Sequence, residues 1–374
     1  MSAATLRVGR AAEAGLDEAR LENVRGVVDR AVREGAFPGA VFLVARNGVV
    51  ALHEATGYAS VIPERRPMRT DTVFDLASVT KPIASLASML LIERGFLRLD
   101  DPVADFIPEF GCGEKSNITI RHLLCHTSGI PGQIPLYQHA RDRQEILRQV
   151  YGLELLFPSG AGVVYSSQGL MALDEVMSRV TNQAGIAASW DALLETAVFH
   201  PLGLEKTRFR PPAEWRENVA ATEDCPWRGR VMVGEVHDRN AFVMGGIAAH
   251  AGLFSTAWEL AIIGQLMLNR GRWGSSAVLA PRTVEIMTSC HTEGLPLARG
   301  LGWQMKDRVG SPAGDLMSDR SFGHTGFTGT SIWVDPATHL LGVLLTNRIH
   351  PSRDNERIAR VRALFYNAVA AAAV

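Results

Sequence analysis

Strand patterns occur near both ends of this 374-residue chain, and helical patterns fill most of the sequence between them. Near the start, 40-AVFLVARNGVVALHEATG-57 contains two β-rich runs around Asn47-Gly48, which is the strongest short-range hairpin signal. Near the end, 329-GTSIWVDP-336 and 339-HLLGVLLTNR-348 are typical of two strands separated by a proline-containing turn. Because hairpin-linked strands pair antiparallel, we expect one antiparallel sheet built from both ends.

Helices are predicted on both sides of these strands. The stretch 16-LDEARLENVRGVVDRAVREG-35 has an apolar face formed by Leu21, Val24, Val28 and Val32. Residues 79–290 are mainly helical in pattern, and Thr256 and Glu259 have capping-box spacing at one helix start. A last helix is expected over residues 353–370.

These patterns predict an α+β fold with two lobes. Residues 1–95 and 291–374 would form an α/β lobe, in which helices flank the antiparallel sheet. Residues 96–290 would form an inserted, mainly helical lobe, and the active site would lie in the cleft between the lobes.

Composition excludes several classes of partner. The chain is 47% apolar and 21% charged, with a formal net charge of −1, so neither nucleic acid nor an anionic membrane is expected to bind it. It has no apolar window of membrane-spanning length and no apolar run in its first residues typical of a signal peptide. Its cysteines lack CxxC spacing. We therefore expect a cytoplasmic protein with reduced thiols.

A lysine stands at the start of an apolar helix in 75-DLASVTKPIASLASMLLIERG-95. The helix is predicted to begin near Ser78, which places Lys81 at the positive end of the helix dipole, where Asp or Glu would be favoured. Residues three apart share a helix face, so the two side chains can meet. Burial and the helix N-terminus would both lower the pKa of Lys81. A partly neutral amine could then activate Ser78 as a nucleophile. Taken alone, however, this spacing more often marks a capping serine and a solvated lysine.

Two further segments carry polar groups at loop ends. In 158-PSGAGVVYSSQGLMALDEVMSRV-180, Tyr165-Ser166-Ser167 follows a glycine-rich loop, where a tyrosine could relay protons. In 321-SFGHTGFTGTSIWVD-335, His324-Thr325-Gly326 leads into a strand whose edge could bind an extended substrate. The structural alternatives are a packed aromatic ring and a glycine-rich turn with a surface histidine.

In this order, the three motifs resemble the serine β-lactamase and penicillin-binding-protein superfamily, specifically its class C β-lactamase-like branch. That branch also contains the family VIII carboxylesterases, D-aminopeptidases and related acyltransferases. Ser78-Val79-Thr80-Lys81 matches its S-x-x-K, Tyr165-Ser166-Ser167 stands at its Y-x-N or Y-S-x, and His324-Thr325-Gly326 stands at its K-T-G or H-x-G. The stretches 122-HLLCHTSGIP-131 and 245-GGIAAHAGLFST-256 are also similar.

The resemblance, which covers about residues 40–350, implies the same fold and a mechanism. Ser78 would form an acyl-enzyme, with Lys81 and Tyr165 sharing the acid–base work. The backbone N–H groups of Ser78 and Phe327 would form an oxyanion hole. Substrate would contact Ser167, His324, Thr325 and Gly326. This chemistry needs neither a cofactor nor a metal, and the partner would be a small-molecule ester or amide. No pattern in the sequence fixes an oligomeric state.

Two departures from the motifs favour esters. His324 is largely neutral near pH 7, whereas a lysine there would offer a permanent cation to a substrate carboxylate. Ser167 replaces an asparagine that could bind an acylamide side chain. We therefore predict a carboxylesterase for short-chain esters. The alternatives are an amide-directed relative (β-lactamase, D-amino-acid peptidase, DD-peptidase or transacylase to an amine) and a non-catalytic binding module on this fold.

Other enzyme classes have weaker support. The chain lacks the G-x-S-x-G of an α/β-hydrolase. A zinc site at His122, Cys125 and His126 would have histidines at i and i+4, but the stretch lacks a HExxH glutamate. A buried helix end with hydrogen-bonded histidines explains it better. The stretch 236-VHDRN-240 is interpreted as a loop near the cleft rather than as a catalytic His-Asp pair.

Overall fold

The computed structural model describes residues 3–374 of the chain. Its helices are α1 (Ala11–Ala14), α2 (Glu18–Arg33), α3 (Thr80–Glu93), α4 (Val103–Phe106), α5 (Ile120–Leu124), α6 (Arg143–Gly152), α7 (Ser167–Ala184), α8 (Trp190–Leu194), α9 (His200–Leu202), α10 (Arg239–Val243), α11 (Ala257–Leu268), α12 (Pro281–Met287) and α13 (Ile358–Ala371). Its strands are β1 (Arg7–Val8), β2 (Gly39–Arg46), β3 (Val49–Ser60), β4 (Arg66–Pro67), β5 (Phe74–Asp75), β6 (Arg208–Phe209), β7 (Asp224–Cys225), β8 (Arg230–Val231), β9 (Leu253–Ser255), β10 (Arg272–Trp273), β11 (Ser276–Ala277), β12 (Gln304–Met305), β13 (Phe322–Thr325), β14 (Ser331–Asp335) and β15 (Leu340–Thr346).

The main sheet joins strands from both ends of the chain. Its order is β1–β3–β2–β15–β14–β13–β12, and β4 pairs with β3 at one edge. β2 and β15 meet at its centre, antiparallel, with Leu43 opposite Val343. The predicted α+β fold and its sheet are therefore confirmed, with one difference: β1 pairs parallel with β3. Helices α1 and α2 and strand β2 separate these two strands in the chain, so no tight turn imposes an antiparallel direction.

The Asn47-Gly48 hairpin forms as predicted. Both residues have positive φ, 54° and 78°, as is required of a two-residue turn that matches the right-handed twist of the flanking strands. Arg46 and Val49 are the last pair before the turn. The hairpin therefore fixes the register of β2 on β3.

Both faces of the sheet are buried, which explains why residues 40–45 are apolar without a break. Ala40, Phe42 and Val44 belong to the core cluster that includes residues of α2 and α13, whereas Val41, Leu43 and Ala45 belong to the cluster on the opposite face. Helix α11 packs on this second face so closely that a Cβ at Gly264 would lie 3.0 Å from Cδ1 of Ile332.

The predicted capping box at the start of α11 is only half formed. The Oγ1 atom of Thr256 accepts the N–H of Glu259 at 3.2 Å, as expected. The Glu259 carboxylate instead accepts bonds from the N–H groups of Glu205 and Lys206 and from the Thr207 hydroxyl. Glu259, a residue that is only 7% exposed, therefore stabilises the loop at residues 205–207 rather than the N-terminus of its own helix.

The helix that carries the lysine begins two residues later than predicted. A 3₁₀ turn at Ala77–Val79 precedes α3, and residues Thr80–Leu91 of the helix are all buried. No helix within residues 3–374 is both long and apolar enough to cross a membrane. The division into two lobes at residues 95 and 291 stays a prediction.

Candidate active site

Ser78 lies in the 3₁₀ turn between β5 and α3, on a backbone that its neighbours hold in an unusual conformation. Ala77 has a φ of 46°, in the left-handed region that non-glycine residues rarely adopt. The carboxylate of Asp75 accepts the N–H of Ala77 at 2.8 Å and that of His237 at 2.7 Å. Burial raises the pKa of Asp75, although these two donors stabilise its ionised form. The turn presents Ser78 to a cavity.

Lys81 lies directly beneath Ser78 and is fully buried. Its Nζ donates to Oγ of Ser78 at 3.0 Å and to the backbone oxygen of His250 at 2.9 Å. The same Nζ lies 4.8 Å from the centroid of the Tyr165 ring. The three predicted acid–base residues are thus brought together.

Two neutral imidazoles flank the Tyr165 ring. The ring centroid of His126 lies 4.8 Å from that of Tyr165, and the ring centroid of His324 lies 6.0 Å from that of Tyr165. Nδ1 of His126 accepts the N–H of Ser166, and Nδ1 of His324 faces the backbone oxygen of Thr325 at 2.9 Å. Burial, with Lys81 nearby, lowers the pKa of His324 to about 3, and burial also lowers that of His126 well below its ordinary value. Both rings are therefore uncharged near pH 7.

The turn after β13 is bound to the segment that precedes Ser78. The hydroxyl of Thr328 donates to the oxygen of Asp75 at 2.7 Å, and that of Thr330 donates to the oxygen of Leu76 at 2.8 Å. The approach is close enough that a Cβ at Gly326 would lie 2.3 Å from the Leu76 oxygen. These contacts fix Phe327, which lies within this turn, relative to Ser78.

Two adjoining cavities open over Ser78. One, of about 250 Å³, includes Tyr165, Ser167 and Phe327 in its lining. The other, of about 370 Å³, is shared by Ser78 and Tyr165 with His324, Thr325 and Gly326. The structure therefore gathers all the predicted site residues, with Lys81 buried below and the others at the surface of these cavities.

Residues 237–240 of the 236-VHDRN-240 stretch line the first cavity, as predicted, but Arg239 and Asn240 belong to the start of α10 rather than to a loop. Oδ1 of Asp238 lies 3.1 Å from Nε2 of His250, the residue whose backbone oxygen contacts Lys81. Burial opposes ionisation of Asp238, but His250 and Lys81 together hold its pKa below the ordinary value. The contact of His250 was not predicted, although the 245–256 stretch was noted as similar to the superfamily.

The histidines of the 122–126 stretch have other partners than a metal. His122 Nδ1 accepts the N–H of Thr119 at 3.2 Å at the start of α5, and Cys125 Sγ contacts the oxygen of Arg121 at 3.0 Å. His126 faces Tyr165, as described above. The interpretation as a buried helix end agrees with these contacts, and no group of metal-binding side chains was found within residues 3–374.

Apart from Arg239, which belongs to the 236–240 stretch expected near the cleft, the arginines near the site were not predicted, because no sequence pattern marks an arginine that lines a cavity. Arg239 and Arg353 line the first cavity, and Arg299, Arg348 and Arg362 line the second. Arg239 and Arg353 also border a third, wider cavity of about 1090 Å³ that adjoins the first at Tyr137.

Known proteins are similar to this chain over most of its length. The family model described as Beta-lactamase matches residues 24–367. A protein of Escherichia coli K12 named "Putative D-alanyl-D-alanine carboxypeptidase" is 31% identical over 376 residues, which cover 90% of this chain and 84% of that protein. An N-acetylmuramyl-L-alanine amidase of Bacillus subtilis 168 is 31% identical over 370 residues, which cover 88% of this chain and 81% of that protein.

Two solved structures have the same fold. EstCE1, described as a hydrolase with promiscuous acyltransferase activity, has a TM-score of 0.74 at 25% identity and covers 94% of this chain and 99% of its own. A class C beta lactamase of Rhodobacter sphaeroides has a TM-score of 0.70 at 21% identity and covers 92% of this chain and 98% of its own. At 21% identity, this second likeness shows the fold alone.

Proposed function

This chain belongs to the Beta-lactamase family of serine hydrolases, and on that premise we propose that it is a carboxylesterase for short-chain esters. The observation that carries the proposal is the buried Lys81, whose Nζ lies 3.0 Å from the Ser78 hydroxyl at the floor of the cavities. The fold is also that of EstCE1, a hydrolase with acyltransferase activity.

Acylation follows from this pair. Lys81, acting as the general base, takes the hydroxyl proton of Ser78 across the 3.0 Å contact, and Oγ attacks the ester carbonyl. The C–O bond to the alcohol then breaks, and Tyr165, whose ring lies beside Lys81, passes a proton to the leaving oxygen. Water later attacks the acyl-enzyme by the same steps in reverse and releases the acid.

The tetrahedral intermediate carries a negative oxygen that needs fixed donors. We assign this role to the backbone N–H groups of Ser78 and Phe327, which line the same cavity. The bonds from Thr328 and Thr330 to the residues before Ser78 hold these two N–H groups at a constant separation. Preorganised donors of this kind typically contribute about 10²–10³-fold to turnover.

Two residues favour esters over lactams. His324, with a pKa of about 3, offers no charge at the position where the resembled β-lactamases have a lysine. Ser167 lines the cavity with a hydroxyl in place of an amide. An amide-directed activity is the second candidate, because the similar proteins include one named as a peptidase and one as an amidase. The cytoplasmic location stays a prediction.

The first prediction is tested with p-nitrophenyl butyrate beside a chromogenic cephalosporin, each assayed with wild-type protein and with Ser78→Ala. We expect ester cleavage that exceeds lactam opening, and a loss of at least about 10³-fold in Ser78→Ala with an unchanged melting temperature. Ser88→Ala is the control, because this serine is fully buried in α3, lines neither cavity and donates only to the oxygen of Ser85.

Efficient lactam opening would replace the ester proposal with the amide-directed candidate. Full ester turnover by Ser78→Ala in a clean preparation would show that the nucleophile is wrong. If a folded protein shows neither activity, two functions would be left: an enzyme that transfers the acyl group to a dedicated acceptor, and a non-catalytic binding module.

A further inference from the structure

One histidine outside the three motifs contacts both segments that carry the proposed oxyanion donors. His237 lines the first cavity and is only 6% exposed. Its backbone N–H donates to Oδ2 of Asp75 at 2.7 Å, and Oδ1 of the same carboxylate accepts the N–H of Ala77, the residue before Ser78. Its imidazole ring stacks on the ring of Phe327, with the two centroids 5.7 Å apart and the two planes 17° from parallel. The backbone and the side chain of one residue therefore connect the Ser78 segment to Phe327.

A buried carboxylate fixes the imidazole. Nε2 of His237 lies 2.8 Å from Oε2 of Glu223, a residue that is 4% exposed and lines the wide third cavity. Burial opposes ionisation of Glu223, but the hydrogen bond with His237 and the nearby charge of Arg239 hold its pKa below the ordinary value. Because an ionised carboxylate only accepts hydrogen bonds, Nε2 carries the proton. The ring cannot turn away from Phe327 without breaking this bond.

The Phe327 ring is only partly covered by the protein, since the residue is 42% exposed. The guanidinium of Arg348 lies 4.4 Å from the ring centroid, and that of Arg353 lies 5.0 Å from it. Arg353 is itself exposed, whereas His237 is buried and its imidazole is anchored. The imidazole is therefore the rigid surface against which the Phe327 ring packs. Exposed side chains that lack such a surface change rotamer within nanoseconds.

We propose that His237 is a positioning residue, which holds the N–H groups of Ser78 and Phe327 at the separation that an oxyanion needs. The threonine hydrogen bonds described above fix the turn from its buried side, and His237 fixes it from the cavity. Preorganised donors act mainly on the transition state, so the contribution of His237 should appear in kcat rather than in KM. This inference rests on the proposed function, which assigns the two N–H groups to the oxyanion.

The test compares two esters that differ only at the carbonyl, p-nitrophenyl butyrate and its thiono analogue, in which sulfur replaces the carbonyl oxygen. Sulfur is larger and accepts hydrogen bonds weakly, so fixed donors favour the oxygen ester. The ratio of the two kcat/KM values is measured in wild-type protein and in His237→Gln, which keeps a donor for Glu223 but lacks the flat ring. We expect the ratio to fall about 2- to 10-fold, the contribution of one aromatic pair. A purely structural role would lower the melting temperature without changing the ratio.

His53→Gln is the matched control, because this half-buried histidine also packs against an aromatic ring, that of Trp258 at 5.9 Å, but lines neither cavity over Ser78. It should leave the ratio unchanged. Glu223→Ala should lower the ratio as His237→Gln does, and Glu223→Gln, which keeps an acceptor for Nε2, should restore most of it. An unchanged ratio in a folded His237→Gln would overturn the proposal. If that variant does not fold, equal ratios in the two Glu223 variants would overturn it.

Failure of the proposed function gives a different result. If the wild-type protein cleaves neither ester, the esterase is refuted, and calorimetric binding of butylboronic acid then tests His237, because its tetrahedral adduct with a serine oxygen occupies the same oxyanion hole. Binding that is about 2- to 10-fold weaker in His237→Gln would support the positioning role, and equal binding would reject it. If Ser78→Ala binds the boronic acid as tightly as the wild-type protein, the nucleophile is wrong and the inference is rejected with it.

Discussion

At the scale of single residues, the site depends on a lysine that has no contact with bulk water. Lys81 is 0% exposed, and two of its three possible donor positions are taken by Ser78 and by the His250 oxygen. The third lies towards the face of the Tyr165 ring. In the proposed mechanism, this amine would exchange protons with Ser78 and with Tyr165 rather than with solvent, as a shared acid–base group requires.

Lys81→Met is predicted to abolish most turnover while the protein stays folded. Methionine keeps the length and the apolar stem of lysine but cannot accept the Ser78 proton, so kcat on p-nitrophenyl butyrate should fall at least about 10³-fold. Residues that act as one unit are not additive. The double variant with Ser78→Ala should therefore be no slower than either single variant, and a Lys81→Met that keeps a tenth of wild-type kcat would contradict the assignment.

Sequence patterns identified the residues of the site that belong to local motifs. Ser78 and Lys81 are three apart in one helical segment, and their contact follows from helix periodicity. Arg299 could not be found in this way, because its place in the second cavity depends on contacts between distant parts of the chain. The left-handed Ala77 was also missed, since its conformation is imposed by Asp75, by the turn and by the loop at His237.

At the scale of elements, the turn between β13 and β14 connects the sheet to the segment that carries Ser78. The backbone N–H of Gly326 donates to the oxygen of Thr330, which closes the turn, and the Thr330 hydroxyl then reaches Leu76. The Arg348 side chain holds the oxygen of Phe327 from the other side. The turn that carries Phe327, the proposed oxyanion donor, is therefore held by hydrogen bonds on both sides.

Gly326→Ala is predicted to reduce both stability and activity. The added Cβ would lie 2.1 Å from Oγ1 of Thr330 and 2.3 Å from the Leu76 oxygen, so the turn must move away from Ser78. Such overpacking costs about 1–3 kcal/mol in the free energy of unfolding, and kcat should fall with it. Gly26→Ala in α2 is the control, because its Cβ would meet nothing within 4 Å. It should be neutral or stabilising, and equal losses in both variants would show that the crowding has no effect.

Long elements with a clear hydrophobic period were predictable, and the shortest ones were not. Helix α2 and the β2–β3 hairpin lie where the apolar pattern placed them, and α13 ends near the predicted residue but begins at Ile358 rather than at residue 353. Strands such as β5 and β9 have two or three residues and no period of their own; they pair through Phe74 and Ser255 because the chain around them is held by other contacts. The direction of β1 was likewise decided by the crossover through α1 and α2.

At the scale of the whole molecule, two imidazoles are buried in the centre of the protein without a charge. His126 and His324 are 3% and 4% exposed, and their neighbourhood includes the cations Lys81 and Arg299. The unfolded chain binds protons at these rings below about pH 6.5, while the folded protein resists them. The contribution of these neutral rings to the free energy of unfolding is therefore fully present above about pH 6.5, and it is lost as the pH falls towards 3.

His324→Gln is predicted to make the protein less sensitive to acid. With a folded pKa of about 3, His324 should cost the wild-type protein about 2–3 kcal/mol of unfolding free energy between pH 7 and pH 4.5, a loss that the variant avoids. Denaturant titrations at the two pH values measure this difference. His139→Gln, at an exposed histidine, should keep the wild-type loss, and an equal loss in His324→Gln would show that the ring is not buried in its neutral form.

The central position of β2 and β15 also matters while the chain is being made. β2 leaves the ribosome with β3 as a partner on one side, but its other edge pairs with β15, roughly 290 residues later in the sequence. At a synthesis rate of about 5–20 residues per second, that edge stays unpaired for about 15–60 s. Strand β2 is apolar on both faces, and an unpaired apolar strand edge is a template for pairing with other chains. Nascent-chain chaperones that cover residues 39–46 during this interval would therefore raise the yield of folded protein.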